Sequence, residues 1–188
     1  MKNLTFLSVI VFALTVSVSA QAQDAPQQPV RATDVKSFGD WGVRCFPVSS
    51  QSPCEMLETI TQKDSGRRLM SMSIGYAPKA DRHIIQISLP LGVSLAKGVK
   101  IVADAYTSPP IQYRRCDRAG CYVEGFIDNT VLAGLTHGSP NAKIVIATAD
   151  GRDITLPLSL RGFNDAHDAM TSLARAKVGA APAAPASP

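Results

Sequence analysis

After its first 22 residues the chain has no apolar run long enough to cross a membrane, since a helical span needs about 20 consecutive apolar residues. Even the most apolar later stretches carry Lys, Arg or Asp within a few residues. There is no Gly-x-Ser-x-Gly elbow, no glycine-rich phosphate loop and no Cys-x-x-Cys pair. Those absences speak against an α/β-type serine hydrolase, a nucleotide site and a thioredoxin-like redox motif. The formal net charge of +4 is modest and is not massed into a basic stripe, which argues against nucleic acid as a partner. His83, His137 and His167 have no second His or Cys at metal-ligand spacing. The chain is therefore expected to carry no catalytic residue, no metal and no cofactor.

What is present begins with a leader. Lys2 supplies the positive n-region, and residues 6–18 are an apolar run broken only by Ser8, Thr15 and Ser17. Ala20-Gln21-Ala22 offers the small-x-small exit a signal peptidase needs, with a competing site after Ala20. No cysteine follows closely, so this is not a bacterial lipoprotein leader. Residues 1–22 thus read as a signal peptide and residues 23–35 as a flexible linker. Residues 36–178 read as one domain. Residues 179–188, rich in Ala and Pro, cannot bury enough surface to offset the entropy of ordering and read as a disordered tail.

The cysteines come in two close pairs, Cys45 with Cys54 and Cys116 with Cys121. Four cysteines allow three pairings. Local pairing needs only short loops, and Asp117-Arg118-Ala119-Gly120 is a natural turn. A zinc site is the alternative, but eight residues between Cys45 and Cys54 suit it poorly. An exported chain favours structural disulfides. Each would add about 2–3 kcal/mol by restricting the unfolded state.

The body reads as strands between turns. Met70, Met72, Ile74 and Tyr76 alternate with small or polar residues, as do Ile85, Ile87 and Leu89. Ile154, Leu156, Leu158 and Leu160 alternate too, and Pro157 places that strand at an edge or a bend. Residues 143–148 read as a strand buried on both faces. Lys63-Asp64-Ser65-Gly66 and Ala149-Asp150-Gly151-Arg152 read as hairpin turns, the second of type I′. A short helix capped by Asp128 and closed by Gly138 carries Val131, Leu132 and Leu135. A second helix over 164–177 has a stripe of Phe163, Ala166, Met170, Leu173 and Ala174 to lay on a sheet. The fold class expected is mainly β: an antiparallel β-sandwich with a short helix and a C-terminal helix packed on it.

Trp41, Val43 and Cys45 share one face of a strand, so Trp41 reads as a core anchor beside a disulfide rather than a platform for sugar. His137 ends the short helix, and His167 sits between Asp165 and Asp168 on a solvent-leaning face. Arg114, Arg115 and Arg118 flank Cys116 and form the candidate binding patch; Arg67-Arg68 and residues 79–82 are smaller clusters. Such a patch would bind a phosphate, a sulfated glycan or an acidic protein. It could also do no more than keep an edge hairpin from pairing with other chains.

The order of residues also carries a resemblance. Phe38-Gly39-Asp40-Trp41-x-Val43-x-Cys45 is followed by Cys54. Leu89-Pro90-Leu91-Gly92-Val93, Gly98-Val99 and Asp104 come next, then Tyr113, Cys116 and Cys121, and finally Leu158-Ser159-Leu160-x-Gly162-Phe163. Over residues 38–173 the chain resembles the invasion-associated locus B family of exported bacterial proteins. The resemblance implies a β-sandwich in the periplasm, at the outer membrane or secreted, in a Gram-negative bacterium, with a role in entry into host cells. It brings no catalytic residues. The resulting expectation is a non-enzymatic envelope protein that binds an unknown protein or glycan of the envelope or of a host surface. The alternatives are a small-ligand carrier, with a cavity lined by residues such as Met70 and Met72, and a motif-free hydrolase of envelope polymers.

Overall fold

The computed structural model describes residues 33–46, 50–104, 106–137 and 141–179. The leader at 1–22, linker residues 23–32, the tail from 180 and the closing Gly138 lie outside the described residues. Five strands open the fold: β1 (Thr33–Phe38), β2 (Trp41–Cys45), β3 (Cys54–Thr61), β4 (Arg68–Ala77) and β5 (Arg82–Leu89). A 3₁₀ turn at Leu95–Lys97 leads into β6 (Val99–Ala103) and β7 (Tyr106–Thr107). Then come β8 (Tyr113–Asp117), β9 (Gly120–Ile127), α1 (Asn129–Thr136), β10 (Asn141–Ala147), β11 (Asp153–Ser159) and α2 (Phe163–Gly179). The folded part therefore begins inside the segment read as linker and takes in Gly179, read as tail.

The strands form two antiparallel sheets. One has seven strands in the order β1-β2-β3-β4-β5-β9-β8; the other has four, β11-β10-β6-β7. Consecutive strands joined by short turns pair with each other, which accounts for most of the order. One face of each sheet is apolar. Met70, Met72, Ile74 and Tyr76 of β4 join Ile85 and Ile87 of β5, Ile101 of β6 and Ile144 of β10 in a single core. The α2 stripe of Phe163, Ala166, Met170 and Ala174 belongs to the same core, and Leu173 packs at its margin. Asp128 caps α1 by accepting from the Val131 amide at 2.9 Å.

Met70 and Met72 have no accessible surface. A solvent-filled cavity between the sheets would expose them, so they line no carrier pocket. The strand at 143–148 is not buried on both faces. In β10, Ala142, Ile144 and Ile146 are buried, whereas Asn141 and Lys143 are exposed, because the small sheet has a core on one side only. The turn before β11 is not type I′. Gly151 has φ of +89°, but Asp150 is absent from the positive-φ residues. The Gly151 amide donates to Thr148 O and the Thr148 amide to Arg152 O, which is a type I turn closed by a glycine bulge. Pro157 lies, as expected, in an edge strand, β11.

Candidate functional site

The two ends of the domain meet in a clasp. The β1–β2 turn stacks on the turn between β11 and α2, with the Asp40 amide donating to Arg161 O at 3.1 Å. The Trp41 indole is 1% exposed, donates to Ser159 O at 2.8 Å and meets the Phe163 ring edge-on at 5.0 Å. Trp41 is thus a core anchor. Asp40 accepts from Ser159 Oγ at 2.6 Å and from the Arg161 guanidinium. The Arg161 and Ser159 bonds hold the Asp40 carboxyl down at about 2. The residues that open and close the family pattern are those of the clasp, so their chemistry is structural.

The arginine hairpin lies at the other edge of the larger sheet. Cys116 and Cys121 are opposite one another across β8 and β9, and their sulfurs are bonded. Cys45 and Cys54, opposite across β2 and β3, are bonded too. Pairing jumps from Tyr113–Val123 to Arg115–Tyr122, which leaves Arg114 as the extra residue of a bulge. Arg115 is already engaged. It contacts Asp117 at 2.6 Å and Glu124 at 3.1 Å, and its guanidinium lies 3.9 Å from the Tyr122 ring centre. Asp117 also accepts from the Ala119 amide at 2.7 Å, which seals the hairpin tip and lowers the Asp117 carboxyl further. Arg114 and Arg118 are exposed and form no ion pair among the described residues. Arg67 and Arg68 join this end of the sheet, bordering with Ala119 a depression of about 280 Å³. Arg82 lies at the far end, over the Phe126 ring at 4.0 Å.

Two groups escaped sequence reasoning. The first is a histidine pair. His167 does not lean into solvent; its side chain is 17% exposed. Its Nε2 lies 2.9 Å from Nε2 of His83, although 84 residues separate them. The rings of Phe163 and Tyr76 flank the pair. His167 Nδ1 faces Asp168 at 3.2 Å, and Tyr76 Oη reaches Asp81 and Arg175. Helical spacing placed Phe163 and His167 one turn apart, a signal that was available; the β5 partner was not. The second is Glu58, 5% exposed on the core side of β3. Its Oε1 accepts from the Ser159 amide at 3.2 Å, while Oε2 is buried without a partner among the described residues. Burial, with a smaller contribution from Asp40, pushes its carboxyl up to about 7. His137 caps α1 through its amide, which donates to Ala133 O at 3.0 Å.

A family model described as Invasion associated locus B (IalB) protein matches residues 41–171. The chain belongs to this family. An invasion protein B homolog of Brucella abortus strain 2308 is 24% identical over 177 residues, covering 93% of this chain and all of the relative. A second homolog, from Brucella abortus biovar 1 strain 9-941, matches to the same extent. Among solved structures, invasion associated protein b from Bartonella henselae aligns with a TM-score of 0.65 at 22% identity, over 76% of this chain and 99% of that one. That likeness concerns the fold. In this member of the locus B family, no described helix is long and apolar enough to cross a membrane, and the two disulfides fit an exported protein.

Acid should loosen the contact between α2 and β5. Burial, and to a lesser extent the neighbouring His167 and Arg175, lowers the His83 pKa from 6.5 to about 4, against the opposing pull of Asp81. A base whose folded pKa is depressed binds fewer protons folded than unfolded, so stability falls as pH drops from 6.5 towards 4. With solvent screening at a half-buried ring, the loss is about 1–2 kcal/mol. Urea unfolding at pH 7 and pH 4.5 should show a smaller drop for His83→Gln than for wild type. Equal drops would remove His83 from the account.

Proposed function

We propose that the protein acts by binding rather than by catalysis, as an exported component of the envelope, with the β8–β9 hairpin as its contact surface. One observation carries the reading. A disulfide-closed hairpin at a sheet edge presents Arg114 and Arg118 without an ion pair among the described residues, while Arg115 is tied inward to Asp117 and Glu124. A rigid cationic edge binds anions with little loss of side-chain order, because the backbone beneath it is already fixed. Arg67 and Arg68 extend the same positive end of the sheet. The matching partner is an acidic protein surface or an anionic glycan.

The family description and the names of the Brucella and Bartonella relatives refer to invasion, which supports a host surface as the location of that partner. Periplasmic or outer-membrane residence in a Gram-negative cell is the other location consistent with export.

The test is capture from envelope and host-membrane extracts. Arg114→Glu with Arg118→Glu should abolish capture. Surface changes of this kind stay within about 0.5 kcal/mol, so the melting temperature should hardly move. Arg115 is left alone, because reversing it would set three acidic groups together and weaken the hairpin itself. Unaltered capture by the double variant would refute the reading.

A further inference from the structure

Glu58 stands at a place where a purely structural residue would carry no charge. Core-facing neighbours on β3 are Met56 and Ile60, and edge strand β11 closes over them through the Ser159 amide. A buried carboxyl with one oxygen unpaired is unfavourable, and an uncharged residue of similar volume would be neutral or better there. Asp40, whose charge acts on Glu58, is already committed to Arg161 and Ser159, so no cation of the clasp is left over for Glu58. Glu58 also lines an open groove of about 460 Å³ between β3 and the β10–β11 edge. That is the size of a small-molecule site. Ile60 and Pro157 supply its accessible apolar wall, backed by buried Ala142 and Leu158, and Lys143 stands with them as its one cation.

We propose that this groove binds a small monocationic amphiphile, its ammonium paired with Glu58 and its apolar chain along Ile60 and Pro157. Charge complementarity selects the head group, since Glu58 is a buried acceptor that lacks a positive partner among the described residues. The apolar wall selects the body. Lys143 disfavours a second positive charge, which separates an alkylamine from a polyamine. The raised carboxyl is consistent with this: a cation beside it favours the ionised form, so binding below about pH 7 displaces its proton. The charged groups around it are Asp40 and Arg161 of the clasp and Lys143 of β10.

The probe is n-hexylamine, titrated into the full processed chain by calorimetry and by amide NMR. Hexanol and spermidine serve as comparisons. At pH 8, hexylamine should saturate one site, about tenfold or more tighter than either comparison. Because a carboxyl held at about 7 is mostly ionised at pH 8 and mostly protonated at pH 5.5, affinity should fall about tenfold or more between them. Glu58→Gln should lose that affinity and its pH dependence. The same variant should melt higher than wild type at pH 8 and level with it at pH 4.5, which shows that it is folded. Lys143→Glu leaves Glu58 untouched and should tighten hexylamine binding several-fold. Failure to saturate, equal affinity for hexanol, or unchanged binding by either variant would overturn the proposal. Hairpin variants should bind hexylamine as wild type does, so this result is independent of the arginine surface.

Discussion

Gly162→Ala is expected to destabilise the fold by about 3 kcal/mol or more, from a strained backbone plus an overpacked contact. Gly162 has φ of +82°, and a Cβ built on it would lie 2.1 Å from Phe38 O. The obstacle is backbone, so no rotamer change relieves it. Gly39 is its reciprocal, at φ +59° with a Cβ position 2.5 Å from Arg161 O. The two turns must therefore separate before either accepts a side chain. Separation breaks the Asp40 to Arg161 backbone bond and tilts Trp41 away from Ser159. Urea denaturation followed by circular dichroism measures the effect. Gly125→Ala is the control, since its Cβ would meet nothing within 4 Å. A Gly162→Ala midpoint as close to wild type as that of Gly125→Ala would mean that the clasp does not hold the two ends together.

Trp41→Ala should be of similar size, at about 3–5 kcal/mol, the usual range for deleting a large buried aromatic. Its indole is almost fully buried, rests on Phe163 and satisfies the Ser159 carbonyl. The truncation leaves a cavity, orphans that carbonyl and removes the surface that seats the start of α2. Trp41→Phe should recover the larger part, because ring packing returns and only the hydrogen bond and part of the volume stay lost. As this is the sole tryptophan, unfolding is followed by circular dichroism rather than by indole fluorescence. Had Trp41 been a sugar platform, its removal would leave stability intact. A loss under about 1 kcal/mol would restore that reading.

Much of the scaffold was legible because strand and helix periodicity are local. Alternation in β4 and β5 pointed Met70, Met72, Ile85 and Ile87 inward, and the burial pattern of β2 follows from Trp41, Val43 and Cys45 at odd positions. Asp128 as a cap and Pro157 at an edge came from the geometry of single residues. Residues 143–148 were misread because three consecutive apolar residues look the same whether one face or both are covered; only the neighbouring layer decides. The Asp-Gly turn was misread because two hairpin types accept that pair, and Asp150 took the less strained one. Arg115 looked as available as Arg114 and Arg118 until Glu124, on the partner strand, was seen to engage it.

What the linear chain determined was a cysteine-paired, mostly β domain of the locus B family, since each of those properties depends on composition, spacing or short-range order. Tertiary structure alone decided which groups are chemically unusual. His83 and His167 meet because β5 and α2 share a core, and Glu58 lost its solvent because β11 closed over β3. Ionisation and affinity depend on the charges and dielectric within a few ångströms, and the fold brings those neighbours from far along the chain.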